Sequence, residues 1–214
     1  MNFKKIVESN EKRDIIILLV FLIRVWKMRD IKNIEEFQSK IKRIIITEEQ
    51  IKKKIEKVGK QISDSYDGRP FLLVSILKGS FVFLADLCRA ITVPCEIGFM
   101  CAKSYYSGTV STGKVEITMD LDRDISDYHV IIVEDIIDSG NTLSFISKYL
   151  AAKHAGSVKI CTLLNKPSRR QTDIPVDYIG VDIPDEFVVG YGLDFAEYYR
   201  NLPYIGILKP SVYS

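Results

Sequence analysis

A chain of 214 residues with 47% apolar and 27% charged side chains is long enough for one globular domain with a sizeable core. Its formal net charge of +2 provides no basic footprint of the kind nucleic-acid binding requires. Four cysteines (Cys88, Cys95, Cys101, Cys161) form no CxxC pair, and only His129 and His154 could join them, which argues against structural zinc and for free thiols in a reducing cytosol.

Residues 1–39 read as an apolar extension and residues 40–214 as one domain. Within the extension, "IIILLVFLI" (residues 15–23) is nine apolar residues, where a membrane-spanning helix needs about twenty. Lys4, Lys5, Lys12 and Arg13 precede it as in the charged start of a signal peptide, yet no small-residue cleavage site follows. Three readings stay open: an extra helix docked on the protein or on another subunit, a weak membrane tether, or upstream sequence ahead of a true start at Met28.

The next signals are orderly. Thr47 and Gln50 have capping-box spacing, Ile46 can staple onto Ile51 across that cap, and Ile51, Ile55, Val58 and Ile62 share one face of an amphipathic helix. "YDGRP" breaks the helix, "FLLVSIL" reads as a short buried strand, and the chain turns at Gly79 into a second helix. "VPCEIGFMCAKSY" is a further strand. "SGTVSTG" (residues 107–113), small and polar with two glycines, reads as a mobile loop before the strand-like "KVEITMDL".

"VIIVEDIIDSGNT" (residues 130–142) predicts a buried strand ending in Glu134 and Asp135, then a helix over residues 140–155 closed by Gly156. "VKICTLLNK" and "VDYIGVDIP" complete the strands. Strands alternating with helices define an α/β fold with a mainly parallel sheet and helices on both faces. In such sheets ligands bind beyond the carboxyl ends of the strands. Four chemically loaded stretches are expected on that rim: Lys78-Gly79, Glu134-Asp135, Lys166 and the segment around Asp194.

Asp138-Ser139-Gly140-Asn141-Thr142 is a loop entering a helix. Exposed backbone N–H groups, a glycine that permits close approach and the hydroxyls of Ser139 and Thr142 suit a phosphate. Without GxxxxGK[ST] it is not a nucleoside-triphosphate loop. Two carboxylates just upstream would repel a phosphate unless a divalent cation or sugar hydroxyls lie between, so the inferred ligand is a phosphorylated sugar with magnesium. On residue types alone, Glu134 and Asp135 could instead cap the strand while Ser139 starts the helix.

"VIIVEDIIDSGNTL" resembles the phosphoribosyl-pyrophosphate motif of the purine phosphoribosyltransferases. With "LKG", "KSYYSGTVSTG", "LLNK" and "IPDEFVVGYGLDFAEYYRNLPYIGILKP" in the same order, the resemblance is to the 6-oxopurine (hypoxanthine or hypoxanthine-guanine) branch, bacterial in type, over about residues 44–210. It implies the type I phosphoribosyltransferase fold, with a small hood subdomain and a flexible lid loop. It also implies transfer of 5-phosphoribosyl from phosphoribosyl pyrophosphate to N9 of hypoxanthine or guanine, with magnesium as cofactor.

By the same resemblance, Glu134 and Asp135 hold the ribose hydroxyls and the magnesium around them. Asp138 is the acid–base group near purine N7, and Ser139, Gly140, Asn141 and Thr142 form the 5′-phosphate loop. Lys78 and Gly79 belong to the pyrophosphate loop, with a non-proline cis peptide between Leu77 and Lys78, and Arg200 stands beside the pyrophosphate. Lys166 meets the purine 6-oxo group, Phe187 stacks on the ring, Val188 offers backbone groups to the purine edge and Asp194 is a second magnesium ligand. Ser104 and Tyr105 head the lid. Without the resemblance, Lys78 reads equally as a solvated lysine, Phe187 as core and Asp194 as a turn residue.

The resemblance also implies a homodimer or homotetramer working on small molecules; the near-balanced charge argues against nucleic acid as a partner, a membrane is the least expected one, and the cysteine usage places the chain in the cytoplasm. Two other classes compete with this reading: a non-catalytic regulator of the same fold that senses the donor, and a phosphoacceptor domain built on strand-end acids. The first need not keep the lid, Lys166 and the 187–194 segment together, and the second does not explain a phosphate cradle.

Overall fold

The structure, a computed structural model, describes Leu19 and residues 33–66, 68–107 and 110–213; side chains between 104 and 114 are outside the description. The apolar run 15–23 therefore lies outside the described residues apart from Leu19. Among the described residues no helix is long and apolar enough to cross a membrane.

Two sheets make up the fold. The elements, in chain order, are α1 (Ile34–Ser39), β1 (Ile41–Ile46), α2 (Glu48–Ser65), β2 (Phe71–Leu77), α3 (Phe81–Ala90), β3 (Glu96–Ser107), β4 (Val110–Met119), β5 (His129–Ile137), α4 (Asn141–Ala152), β6 (Ser157–Asn165), β7 (Tyr178–Asp182), β8 (Val188–Val189), β9 (Ile205–Leu208) and α5 (Pro210–Tyr213), with a 3₁₀ turn at Pro167–Arg169. The main sheet has the order β4-β3-β2-β5-β6-β7, and the second is β1-β9-β8. Within the main sheet only the β3–β4 pair is antiparallel.

Strands β2 and β5 are central and buried on both faces, which is why their sequences are near-continuous apolar runs rather than alternating ones. Their side chains still divide by parity. Leu73, Ile131 and Val133 face α2 and α3 in one core, while Leu72, Val74, Val130 and Ile132 face α4 in another. The predicted capping box of α2 is present, with Thr47 Oγ1 accepting from Gln50 N and Thr47 N donating to Gln50 Oε1. Ile51, Ile55, Val58 and Ile62 are buried along that helix, each contributing about 1.5–3 kcal/mol of transfer free energy.

Two local expectations are corrected. The segment 107–113 is not an open loop: β3 and β4 form a hairpin, with Tyr106 opposite Ser111 and Ser107 opposite Val110. Small polar residues carry no apolar alternation, so a ladder there leaves no trace in the sequence pattern. Helix α4 ends at Ala152 rather than 155, because the left-handed residue that turns the chain back is His154 (φ 63) instead of Gly156.

The small sheet is antiparallel and has its own core of Val189, Phe195, Tyr199, Leu202 and Leu208. Phe37 of α1 packs on Tyr198 and Tyr199, and Lys209 ties to this segment through Ser39 O and Lys40 O. The segment 190–204, between β8 and β9, lies next to the β2–α3 turn of the main sheet, since a β-carbon on Gly192 would stand 2.1 Å from Gly79 O.

Candidate active site

Strand order reverses between β2 and β5, and the crevice beyond the carboxyl ends of strands at such a switch point is where open α/β sheets bind ligands. Two features occupy it. The β2–α3 turn is held from below by Ser80, whose buried hydroxyl donates to Ile76 O and hydrogen-bonds Ser75 Oγ at 2.7 Å. The Leu77–Lys78 peptide bond in this turn is cis.

Opposite it stand Glu134 and Asp135. They lie inside β5, which runs on to Ile137, rather than at its end as expected from the sequence. Asp135 is buried, and a β-carbon on Gly79 would come within 1.9 Å of its Oδ2. Burial pushes the Asp135 carboxyl up to about 6; backbone N–H groups, including Ile136 N at 2.8 Å from Oδ1, and the Arg200 cation oppose the rise, while Asp194 adds to it. Glu134 Oε2 is buried without a hydrogen-bond partner among the described residues. Desolvation first, and the neighbouring Asp135 charge second, raise the Glu134 carboxyl well above the usual carboxylate range. An orphaned, buried carboxylate oxygen is costly to keep in a ligand-free protein, and a hydroxyl donor or a cation would satisfy it.

The chain then leaves β5 through Asp138, Ser139 and Gly140. Gly140 is the N-cap of α4 with φ 84, a left-handed conformation glycine adopts without penalty. The helical ladder begins with Ser144 N donating to Gly140 O, so the first turn of α4 presents its N–H groups to the crevice. Asn141 N has a long bond, 3.4 Å, to Ser139 Oγ, and the Asn141 side chain is held by Gln171 and Thr172. Asp138 receives a hydrogen bond from Arg169 Nε at 3.1 Å, and the same guanidinium lies 3.7 Å from Asp185.

Lys166 follows β6, its backbone N bonded to Ile137 O, which joins it to the end of β5. Its side chain is buried, with Nζ donating to Glu186 O at 2.8 Å. Phe187 is 38% exposed; Tyr213 stacks on it at 4.8 Å and Phe195 meets it edge-on. Val188 opens β8 opposite Ile207 with its side chain buried.

Asp194 and Arg200 form an ion pair at 2.9 Å, and Arg200 Nη1 donates to Gly192 O. Glu197 is shared between Arg200 and Lys78. Ser104 and Tyr105 have strand backbone in β3, and their side chains lie outside the described residues. A separate cavity of about 750 Å³ between α2, α3 and residues 191–203 touches this rim only at Arg200 and is lined largely by apolar groups such as Ile51, Ile55, Phe81 and Leu202.

The structure thus brings Lys78, Gly79, Asp135, Asp194 and Arg200 together by direct contacts, and Glu134 with them through its neighbour. Asp138 and Lys166 sit at adjacent strand ends and meet a common third residue, Asp185, through Arg169 and Nζ at 3.7 and 3.9 Å. Arg169, Asp185, Glu197 and Gly192 escaped the sequence reading. Apart from Arg200, which meets Gly192 and Glu197, their partners lie far along the chain, and "RR" after "LLNKPS" or "AE" after "LDF" carries no spacing that points to them.

A doubly covered parallel sheet with buried acids at the switch point and a helix N-terminus just beyond defines a class of proteins that bind phosphorylated sugars. Residues 44–196 match the phosphoribosyl transferase domain, and the chain belongs to that family. It is 53% identical over 165 residues to hypoxanthine phosphoribosyltransferase of Salmonella typhimurium, covering 76% of this chain and 93% of that protein. It is 49% identical over 174 residues to hypoxanthine-guanine phosphoribosyltransferase of Staphylococcus aureus, covering 81% and 97%. A crystal structure of a hypoxanthine phosphoribosyltransferase from Staphylococcus aureus superposes with a TM-score of 0.82 at 46% identity, over 86% of this chain and all of that one. The fold is the type I phosphoribosyltransferase fold.

Proposed function

We propose that the chain is a purine-salvage enzyme transferring 5-phosphoribosyl from phosphoribosyl pyrophosphate to N9 of hypoxanthine, and of guanine, giving IMP or GMP and pyrophosphate. The observation that carries this reading is the orphaned Glu134 Oε2 beside buried Asp135, one loop ahead of the α4 N-terminus and one strand from Lys166. Carboxylates accept from the ribose hydroxyls, and the α4 N-terminus with Ser139–Thr142 holds the 5′-phosphate, the helix dipole adding about 0.3–1 kcal/mol. Lys78 and Arg200 neutralise the departing pyrophosphate.

Lys166 has only donors, so it suits the carbonyl oxygen of a 6-oxopurine and meets adenine's amino group badly. Phe187 lies against one face of the purine, and Val188 meets its edge through the backbone. Asp138, steered by Arg169, exchanges the proton at N7 as the bond to N9 forms. The β3–β4 hairpin, with Ser104 and Tyr105, closes as a lid and keeps water from a transition state of oxocarbenium character.

Magnesium fits the donor set. The orphaned Glu134 Oε2 beside buried Asp135 offers a cation an unsatisfied oxygen, and this ion takes one or two carboxylates and leaves its other positions to water and substrate oxygens. Glu134 with Asp135 on the ribose side, and Asp194 separately on the pyrophosphate side, would hold magnesium, and when bound it would neutralise the charge developing on the pyrophosphate. We assign the protein to the cytoplasm, in keeping with four free thiols, and expect a homodimer or homotetramer to cover exposed Phe81 and Phe99.

Release of pyrophosphate from donor plus hypoxanthine, absent without magnesium, is the test. Donor binding without release would make the chain a sensor of the same fold, and comparison of hypoxanthine, guanine and xanthine would set the preference at purine C2.

A further inference from the structure

Resting on the pyrophosphate role of Lys78 and Arg200 given above, we propose that Glu197 is an internal anion that occupies these two cations between turnovers and that the donor's pyrophosphate must displace. One carboxylate oxygen, Oε2, accepts from Lys78 Nζ at 2.9 Å and from Arg200 Nη2 at 3.4 Å. Lys78 and Glu197 are 119 positions apart in the chain, so the carboxylate bridges the β2–α3 turn to the segment between β8 and β9. A phosphate oxygen offers the same charge and the same acceptor to the same donors.

The backbone around Glu197 is built to aim it inward. Ala196, Glu197 and Tyr199 have φ of 53, 70 and 75, left-handed values that non-glycine residues keep only where the surroundings enforce them. Phe195 and Tyr198 exchange backbone hydrogen bonds across this turn, and Glu197 N donates to Asp194 Oδ2 at 2.9 Å. Both Lys78 and Glu197 side chains are about two-thirds exposed, at 68% and 65%, which makes the link weak and exchangeable. Arg200 is anchored independently by Gly192 O and Asp194, so its guanidinium stays in place when Glu197 leaves.

Donor binding then exchanges one anion for another, and Glu197 closes on the vacated cations as pyrophosphate departs. Removing its charge should tighten binding, the reverse of what loss of a structural contact does. Titration calorimetry with inorganic pyrophosphate and magnesium on the full chain tests this. Both Glu197→Gln and Glu197→Ala should lower the dissociation constant by about three- to tenfold, the range expected for releasing two exposed ion pairs. The product-inhibition constant of pyrophosphate should fall in the same ratio. Unchanged affinity in the Gln variant, or weaker binding in the Ala variant, overturns the proposal and leaves Glu197 a structural residue. A parent protein that binds neither pyrophosphate nor donor overturns the functional reading instead.

Discussion

Gly79 and Asp135 occupy space that admits no third atom: a β-carbon at residue 79 would stand 1.9 Å from Asp135 Oδ2 and 2.8 Å from its carboxyl carbon. The glycine is therefore the condition for the carboxylate to lie at the switch point between β2 and β5. Gly79→Ala should displace Asp135 and the turn together. The expected result is loss of donor affinity by at least about tenfold with the purine constant little changed, measured by steady-state kinetics on a variant that keeps its thermal midpoint within a few degrees. Full activity in this variant would show that Asp135 takes no part.

Asp135 also makes a prediction about stability. Its carboxyl is raised from an ordinary 3.8 to about 6 in the fold, mainly by burial. Between these values the native state holds a proton that the unfolded chain has released, so stability falls as pH rises from about 4 to 6 and then levels off. Asp135→Asn should therefore stabilise the ligand-free protein above pH 7, by at most about 3 kcal/mol at about 1.36 kcal/mol per pH unit, and the gain should vanish near pH 4. Activity should be lost at the same time. Thermal midpoints of both proteins at pH 4 and pH 8 check the sign.

In the proposed mechanism Asp138 carries the proton; Arg169 Nε holds its carboxylate at 3.1 Å. Asp138→Asn should lower turnover by about 10²–10⁴ while donor binding stays intact. Arg169→Gln only frees the carboxylate to rotate, and should cost no more than about 10². Equal losses from both changes would make Arg169 more than a positioning residue.

Lys166 is buried and anchored to Glu186 O, with donors left for a ligand. Lys166→Met should raise the Michaelis constant for hypoxanthine about ten- to hundredfold, the value of one charge-assisted hydrogen bond, and leave that for the donor unchanged. An effect on the donor alone would move Lys166 out of the purine site.

The hairpin of β3 and β4 is the remaining element with an assigned motion. Limited proteolysis within residues 107–113 should be suppressed when donor and a purine-nucleoside analogue are bound together. Nicking that persists in that complex counts against closure.

Much of this arrangement was legible along the chain. Apolar run length marked β2, β5 and β6 because those strands are buried, and burial imposes composition. The Thr47–Gln50 box was readable because capping is a three-residue interaction. Glu134, Asp135 and Asp138 were readable as one constellation because a strand and a helix N-terminus place neighbours in sequence around one crevice. Where the pattern failed, the cause was equally physical. The tip of the β3–β4 ladder, residues 107–113, is mostly small and polar without apolar alternation, and His154 takes the left-handed turn expected of Gly156.

By itself, then, the sequence determined which chemical groups exist and which local elements carry them, since caps, strand periodicity and loop chemistry act over a few residues. Only the tertiary structure decided which groups meet: Gly79 with Asp135, Arg169 with Asp138, Tyr213 with Phe187, and Glu197 with Lys78. These contacts join segments separated by tens of residues or more. Such pairing depends on sheet order and on how the small sheet lies against the large one, which no local spacing encodes.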